Sequence, residues 1–238
     1  AVKGRRRFGG FARPADAYIH SHSGNLRNGE HSMHVHSDLY IGGRWVPATS
    51  TDVIEVVNPA TEEVIATVPA ASTDDADAAV RAARAAFNSW SQLTVDERVD
   101  YVERIAAAMA ARAEEIASVV SAEQGMPMTN ARRVQSGLPI TVMKSYVDIG
   151  RQYARSEPEK VGNSLVVHEP IGVCTFITPW NYPLHQIVGK VAPALVAGCT
   201  MIVKPSSETP LNAFLLAQII DEAGLPAGRS FFLHDQVW

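Results

Sequence analysis

The sequence predicts an α/β protein built on a parallel sheet with helices against it. Three observations carry this. Two apolar runs, residues 171–177 and 200–203, are each followed by a helical pattern. Strand–helix–strand–helix with about 30 residues between strands is the spacing of a βαβ unit, whose crossover makes the strands parallel. The composition agrees: 46% of residues are hydrophobic but only 7% aromatic, which suits small aliphatic side chains packing helices onto a sheet.

Residues 1–32 read differently from the rest, being Gly, Arg, His, Asn and Ser without periodicity before Met33. They are expected to be a disordered leader or a non-native extension. Arg5, Arg6 and Arg7 precede no apolar segment, so no secretory signal is predicted. Tyr40-Ile41, Gly42-Gly43 and Arg44-Trp45-Val46 read as a hairpin. Residues 53–57 and 63–68 read as strands around the turn signal Asn58-Pro59. Ser72 is expected to cap a helix carrying Ala79, Val80, Ala83, Phe87 and Trp90 along one face. Thr94-Val95-Asp96-Glu97 is a capping box opening one long helix whose Val99, Val102, Ile105, Met109, Ile116 and Val120 recur at helical spacing up to Gly125. A third helix is expected over 129–154.

Residues 165–168 read as a short strand. The run 171–177 is apolar enough for a strand buried on both faces. Thr178-Pro179-Trp180-Asn181-Tyr182-Pro183 interrupts it before a helix ending at Gly198. Residues 200–203 form the next strand, closed by Lys204-Pro205-Ser206-Ser207. Thr209-Pro210 then reads as cap and first turn of a helix that Gly224 ends. Ligands of open parallel sheets bind beyond the carboxyl ends of the strands, so Asn181 and Lys204 are expected on one edge of the sheet, sharing a site.

Charge and cysteine content exclude several functions. Residues 1–37 hold six Lys/Arg against two acids, and the remainder holds 15 against 23. An acidic body offers no footprint for nucleic acid or an anionic membrane, and no apolar run reaches the length of a bilayer span. Cys174 and Cys199, 25 residues apart, form neither a disulfide framework nor a metal set, and a cytoplasmic location is expected.

The ordered set from Tyr40-Ile41-Gly42-Gly43-Arg44-Trp45, through Asn58-Pro59-Ala60-Thr61, His168-Glu169-Pro170-Ile171-Gly172-Val173, 177–183 and 203–210, to Gly224-Leu225-Pro226-Ala227-Gly228 resembles the aldehyde dehydrogenase superfamily over roughly 190 residues. The resemblance implies an incomplete Rossmann-type parallel sheet with flanking helices and a β-strand arm for oligomerisation near 160–170. Residues 33–228 would be the N-terminal part of the cofactor-binding domain. After Gly228 the family pattern stops, and 229–238 reads as a non-family tail, as a shifted frame, an early stop or a gene fragment would produce.

The activity implied is oxidation of an aldehyde to a carboxylic acid with NAD or NADP through a cysteine thiohemiacetal and thioester. Asn181 would donate to the oxyanion; the bland alternative is a helix cap. Lys204 would bind the adenosine-ribose hydroxyls; otherwise it is a solvated strand-end lysine. Ile177, Thr178 and Trp180 would line the cofactor, although Trp180 also suits a core position. Many NAD-preferring relatives carry glutamate three residues after the lysine. Here that position is Ser207, which leaves room for a 2′-phosphate, so NAD is only slightly favoured over NADP. The family's nucleophile, general base and glycine turn lie in its other half, and Cys174 and Cys199 both read as buried, inert thiols. The chain alone is therefore expected to be inactive. The partners implied are an aldehyde and, at full length, further copies of the same protein. A catalytically dead remnant that binds dinucleotide or pairs with full-length subunits is the second reading, and a coenzyme A-acylating relative the third.

Overall fold

A computed structural model describes residues 34–155, 158–228 and 230–232. The expectation for residues 1–32 falls outside them. The hairpin forms as β2 (Asp38–Ile41) and β3 (Arg44–Pro47), antiparallel with Ile41 opposite Arg44. The two loop residues, Gly42 and Gly43, have φ of 66° and 76°. Two successive positive φ values match the right-handed twist of the flanking strands and cost glycine least. A separate three-stranded sheet contains β1 (His34–Val35), β5 (Val64–Pro69) and β4 (Val53–Val57), in that order.

Helix α1 (Thr73–Ser91) and helix α2 (Val95–Ala111) both start on reciprocal capping boxes, Ser72 with Asp75 and Thr94 with Glu97. Along α1, Ala79, Ala83 and Trp90 are fully buried, while Val80 is largely exposed and leaves the expected stripe. The single long helix expected up to Gly125 is two: Arg112 leaves helical geometry at φ −106°, ψ 22°, and α3 (Ala113–Gln124) follows. The guanidinium of Arg112 holds the corner, bonding Glu115 on α3 and Glu222 and Gln218 on a later helix. Apolar spacing runs through such a break unchanged, which is why periodicity misses it. The third helix is also interrupted. A short turn, α4 (Met128–Asn130), and a π-helical stretch, Ala131–Gly137, lead into α5 (Leu138–Ala154).

A small exposed hairpin comes next, with β6 (Glu159–Val161) paired to β7 (Ser164–Val166). The strand read from 165–168 is thus shorter and one residue earlier. The main sheet follows as β8 (Val173–Ile177), α6 (Pro183–Ala197), β9 (Thr200–Lys204), α7 (Leu211–Glu222) and β10 (Ser230–Phe232), in the order β3-β2-β10-β9-β8. The pairs β8–β9 and β9–β10 are parallel, as the βαβ spacing requires. Backbone pairing of 230–232 extends the sheet into the segment read as a non-family tail.

Strand β9 alternates its side chains between two apolar clusters. Met201 and Val203 face one containing Trp90, Val99, Ile187, Val191 and Leu216; Ile202 faces another containing Leu39, Ala79 and Ala83. Strand β8 corrects the expectation of burial on both faces. Among the described residues only β9 pairs with it, and Thr175 and Ile177 are exposed. An edge strand lacks a neighbour whose side chains would cover it.

Candidate active site

The two strand ends that were expected to share a ligand do meet. Ile177 lies opposite Lys204 in the parallel register, and the Thr178 N–H donates to the Lys204 carbonyl at 3.1 Å. The segments 178–183 and 205–210 therefore leave the sheet side by side. Ile177, Trp180 and Asn181 are exposed on this edge, Lys204 and Ser207 are half-buried, and Thr178 is buried with its Oγ1 lacking a hydrogen bond. Trp180 is 53% exposed, which removes the reading of it as core filler.

Asn181 is held by two contacts. Its side-chain Oδ1 accepts the Tyr182 backbone N–H at 3.1 Å, and its own carbonyl accepts from Gln135 Nε2 at 3.2 Å. Helix α6 has Tyr182 at its N-cap and no side-chain cap bond, so the alternative of Asn181 as a helix cap is not realised. With Oδ1 engaged, what the amide offers is its two N–H donors. Lys204 enters no salt bridge among the described residues, where the pairs involve only Arg112, Arg132 and Arg151 as cations.

Beside these groups a cleft of about 800 Å³ is lined by Trp180, Ser207 and Thr209 together with Glu55, Glu123 and Glu208. Glu55 and Glu208 on its wall are acceptors suited to hydroxyl groups. Glu123 is the buried one. It accepts from the Leu211 N–H at 2.6 Å, the Asn212 N–H at 3.0 Å and Asn212 Nδ2 at 2.7 Å. Burial pushes its carboxyl up to about 8, against the pull of those three donors. This carboxylate, from 88 residues away, caps α7 in place of Thr209, whose hydroxyl has no partner and whose expected capping role is not observed.

Neither cysteine offers a nucleophile. Cys199 is buried. Cys174 is only half-buried, correcting the expectation of a core position, yet its thiol is pushed up to about 11, first by burial and then by the neighbouring Cys199. The thiolate is the reactive form, so such a thiol is inert near neutrality. No group of three or more metal-ligating side chains and no helix long and apolar enough to cross a membrane occurs among the described residues.

Sequence reading missed Gln135 and Glu123. Gln135 sits four residues after buried Ala131 with none of its surface exposed, so a polar residue at a core-facing position was the available signal. Glu123, three residues after buried Val120, carried the same signal.

The model of the aldehyde dehydrogenase family matches residues 45–235, past the point at which the sequence pattern was read as ending. A 3-succinoylsemialdehyde-pyridine dehydrogenase from Pseudomonas sp. is 42% identical over 197 residues, covering 82% of this chain and 41% of the relative. A geranial dehydrogenase from Castellaniella defragrans is 37% identical over 198 residues, 81% of this chain and 41% of that protein. Among solved structures, a mutant of aldehyde dehydrogenase C from Pseudomonas syringae with NAD+ and octanal superposes with a TM-score of 0.83 at 41% identity, covering 87% of this chain and 43% of that one. A Mycobacterium tuberculosis aldehyde dehydrogenase complexed with NAD+ gives 0.82 at 36% identity, with 87% and 44% covered. The chain thus spans about two fifths of the length of the relatives it matches.

Proposed function

This chain belongs to the aldehyde dehydrogenase family, and we propose that its residues supply the oxyanion donor and the dinucleotide seat of a site that oxidises an aldehyde to a carboxylic acid. The observation that carries this reading is Asn181. Its Oδ1 is engaged by Tyr182, its N–H groups are the part left to offer, and it stands on the same sheet edge as Lys204.

The chemistry asked of Asn181 follows from that arrangement. When a thiolate adds to an aldehyde carbonyl, the oxygen gains negative charge. A donor already fixed in place stabilises that charge without reorganising during the step. The thiol would come from outside these residues, because neither Cys174 nor Cys199 is suited to the role. The 238-residue chain by itself is accordingly proposed to oxidise no aldehyde.

The residues fit a dinucleotide. Lys204, a cation with no acidic partner among the described residues, would hold the adenosine-ribose hydroxyls, while Ile177, Thr178 and Trp180 would line the cofactor. Bound NAD or NADP supplies the hydride acceptor. Ser207 neither repels nor chelates at the ribose, so both cofactors are accommodated, with NAD slightly favoured; the NAD+ held by two of the solved relatives supports that order. The exposed Val161 and Leu165 on the β6–β7 hairpin support association between full-length copies.

The test is reduction of NAD+ and NADP+, followed by absorbance, by full-length protein with a panel of aldehydes. Turnover that disappears in Asn181→Ala supports the reading. A full-length protein that binds dinucleotide and oxidises none of the panel favours the non-catalytic alternative.

A further inference from the structure

Gln135 lies in the π-helical stretch Ala131–Gly137, and none of its surface is exposed. Its Nε2 donates to the backbone carbonyl of Asn181 at 3.2 Å, 46 residues away, while its Oε1 is buried with no hydrogen-bond partner. A buried amide with half its hydrogen-bonding capacity unmet is a net cost to the fold, and an apolar side chain of the same shape would avoid it. Packing therefore does not explain why an amide stands here. A π-helical stretch likewise departs from the regular helix expected over 129–154, and such departures concentrate at functional sites. Its neighbour is anchored too: the Ser136 hydroxyl donates to the Ala113 carbonyl at 2.7 Å, tying the stretch to α3.

We propose that Gln135 is a positioning residue for Asn181: the π-helical stretch presents its amide to the Asn181 carbonyl and so fixes the direction in which the Asn181 side chain donates. The loop 178–183 is irregular, and among the described residues Gln135 is the distant side chain that hydrogen-bonds its backbone. The Tyr182 N–H locks the Asn181 amide locally, and Gln135 locks the backbone that carries it. Gln135 itself touches no reacting atom. The inference rests on the proposed oxyanion role of Asn181.

The test compares full-length wild type with Gln135→Met, which keeps the volume and removes both polar groups, and with Gln135→Glu, which keeps the shape and removes the donor. Expected for Gln135→Met are a drop in kcat of tenfold or more, dinucleotide KM within twofold, and a melting temperature equal to or above wild type. Adding Gln135→Met to Asn181→Ala should lower kcat no further, because a residue acting only through Asn181 has nothing left to position. Gln135→Glu should lose kcat similarly, and serves if the methionine variant fails to fold. Unchanged kcat in both variants overturns the inference, as does a loss that adds fully to Asn181→Ala. If Asn181→Ala itself leaves kcat unchanged, it is the oxyanion reading that fails, and the two failures are thereby told apart.

Discussion

Glu123, near the end of α3, accepts both the backbone N–H and the side-chain amide of Asn212, at 3.0 and 2.7 Å, and so closes the start of α7 from another helix. Helix α7 has no capping side chain of its own, and its first N–H groups would otherwise be buried without acceptors. Replacing Glu123 with Ala should therefore destabilise the full-length protein by about 3 kcal/mol, since several donors lose their acceptor at once. Chemical denaturation measures it, and a loss below about 1 kcal/mol would mean that water caps α7 instead.

The same carboxyl makes stability depend on pH. Its value in the folded chain is raised from 4.5 to about 8. Folding therefore favours the protonated form, and that contribution is complete below 4.5 and lost as pH rises through about 8. Melting temperature should fall between pH 5 and 8 in wild type and fall less in Glu123→Gln, which cannot ionise. Parallel curves for the two proteins would remove Glu123 as the cause.

Asn181→Ala should lower kcat by about 10²–10³-fold, the usual effect of deleting one oxyanion donor, with little change in dinucleotide affinity. Steady-state kinetics on full-length protein decides it.

Lys204→Ala should do the converse, raising dinucleotide KM roughly tenfold, as expected for losing one charged hydrogen bond, with kcat nearly intact. An unaltered KM would place Lys204 outside the cofactor seat.

Gly150 lies inside α5, where a methyl group would fall on the Val99 Cγ2 methyl of α2 and within 3.2 Å of Val196 Cγ1 on α6. Alanine normally stabilises a helix interior by about 1 kcal/mol over glycine. Here overpacking, at about 1–3 kcal/mol, should outweigh that gain. Thermal unfolding of Gly150→Ala against wild type reads the sign directly.

Local signals were the legible part of the fold. The hairpin at Gly42-Gly43, the capping boxes at Ser72 and Thr94, the left-handed caps at Gly125 and Gly198, and the parallel β8–β9 pair each depend on a few adjacent residues or on one spacing. What was misread depended on neighbours distant in sequence. Helix α2 ends at Arg112 because residues from two other helical segments bond its guanidinium, and an apolar run such as 171–177 looks the same whether one or two strands flank it.

The site divides in the same way. By itself the sequence determined that Asn181, just past the end of one parallel strand, and Lys204, at the end of the next, lie on one edge of the sheet, because strand spacing and crossover length leave little choice of edge. Only the tertiary structure decided which atoms of Asn181 remain to act, since that depends on Tyr182 occupying Oδ1 and Gln135 reaching the backbone from 46 residues away. It likewise decided that α7 is capped by Glu123. A hydrogen bond between distant residues is set by how the helices pack, and packing is a property of the whole chain that no local pattern encodes.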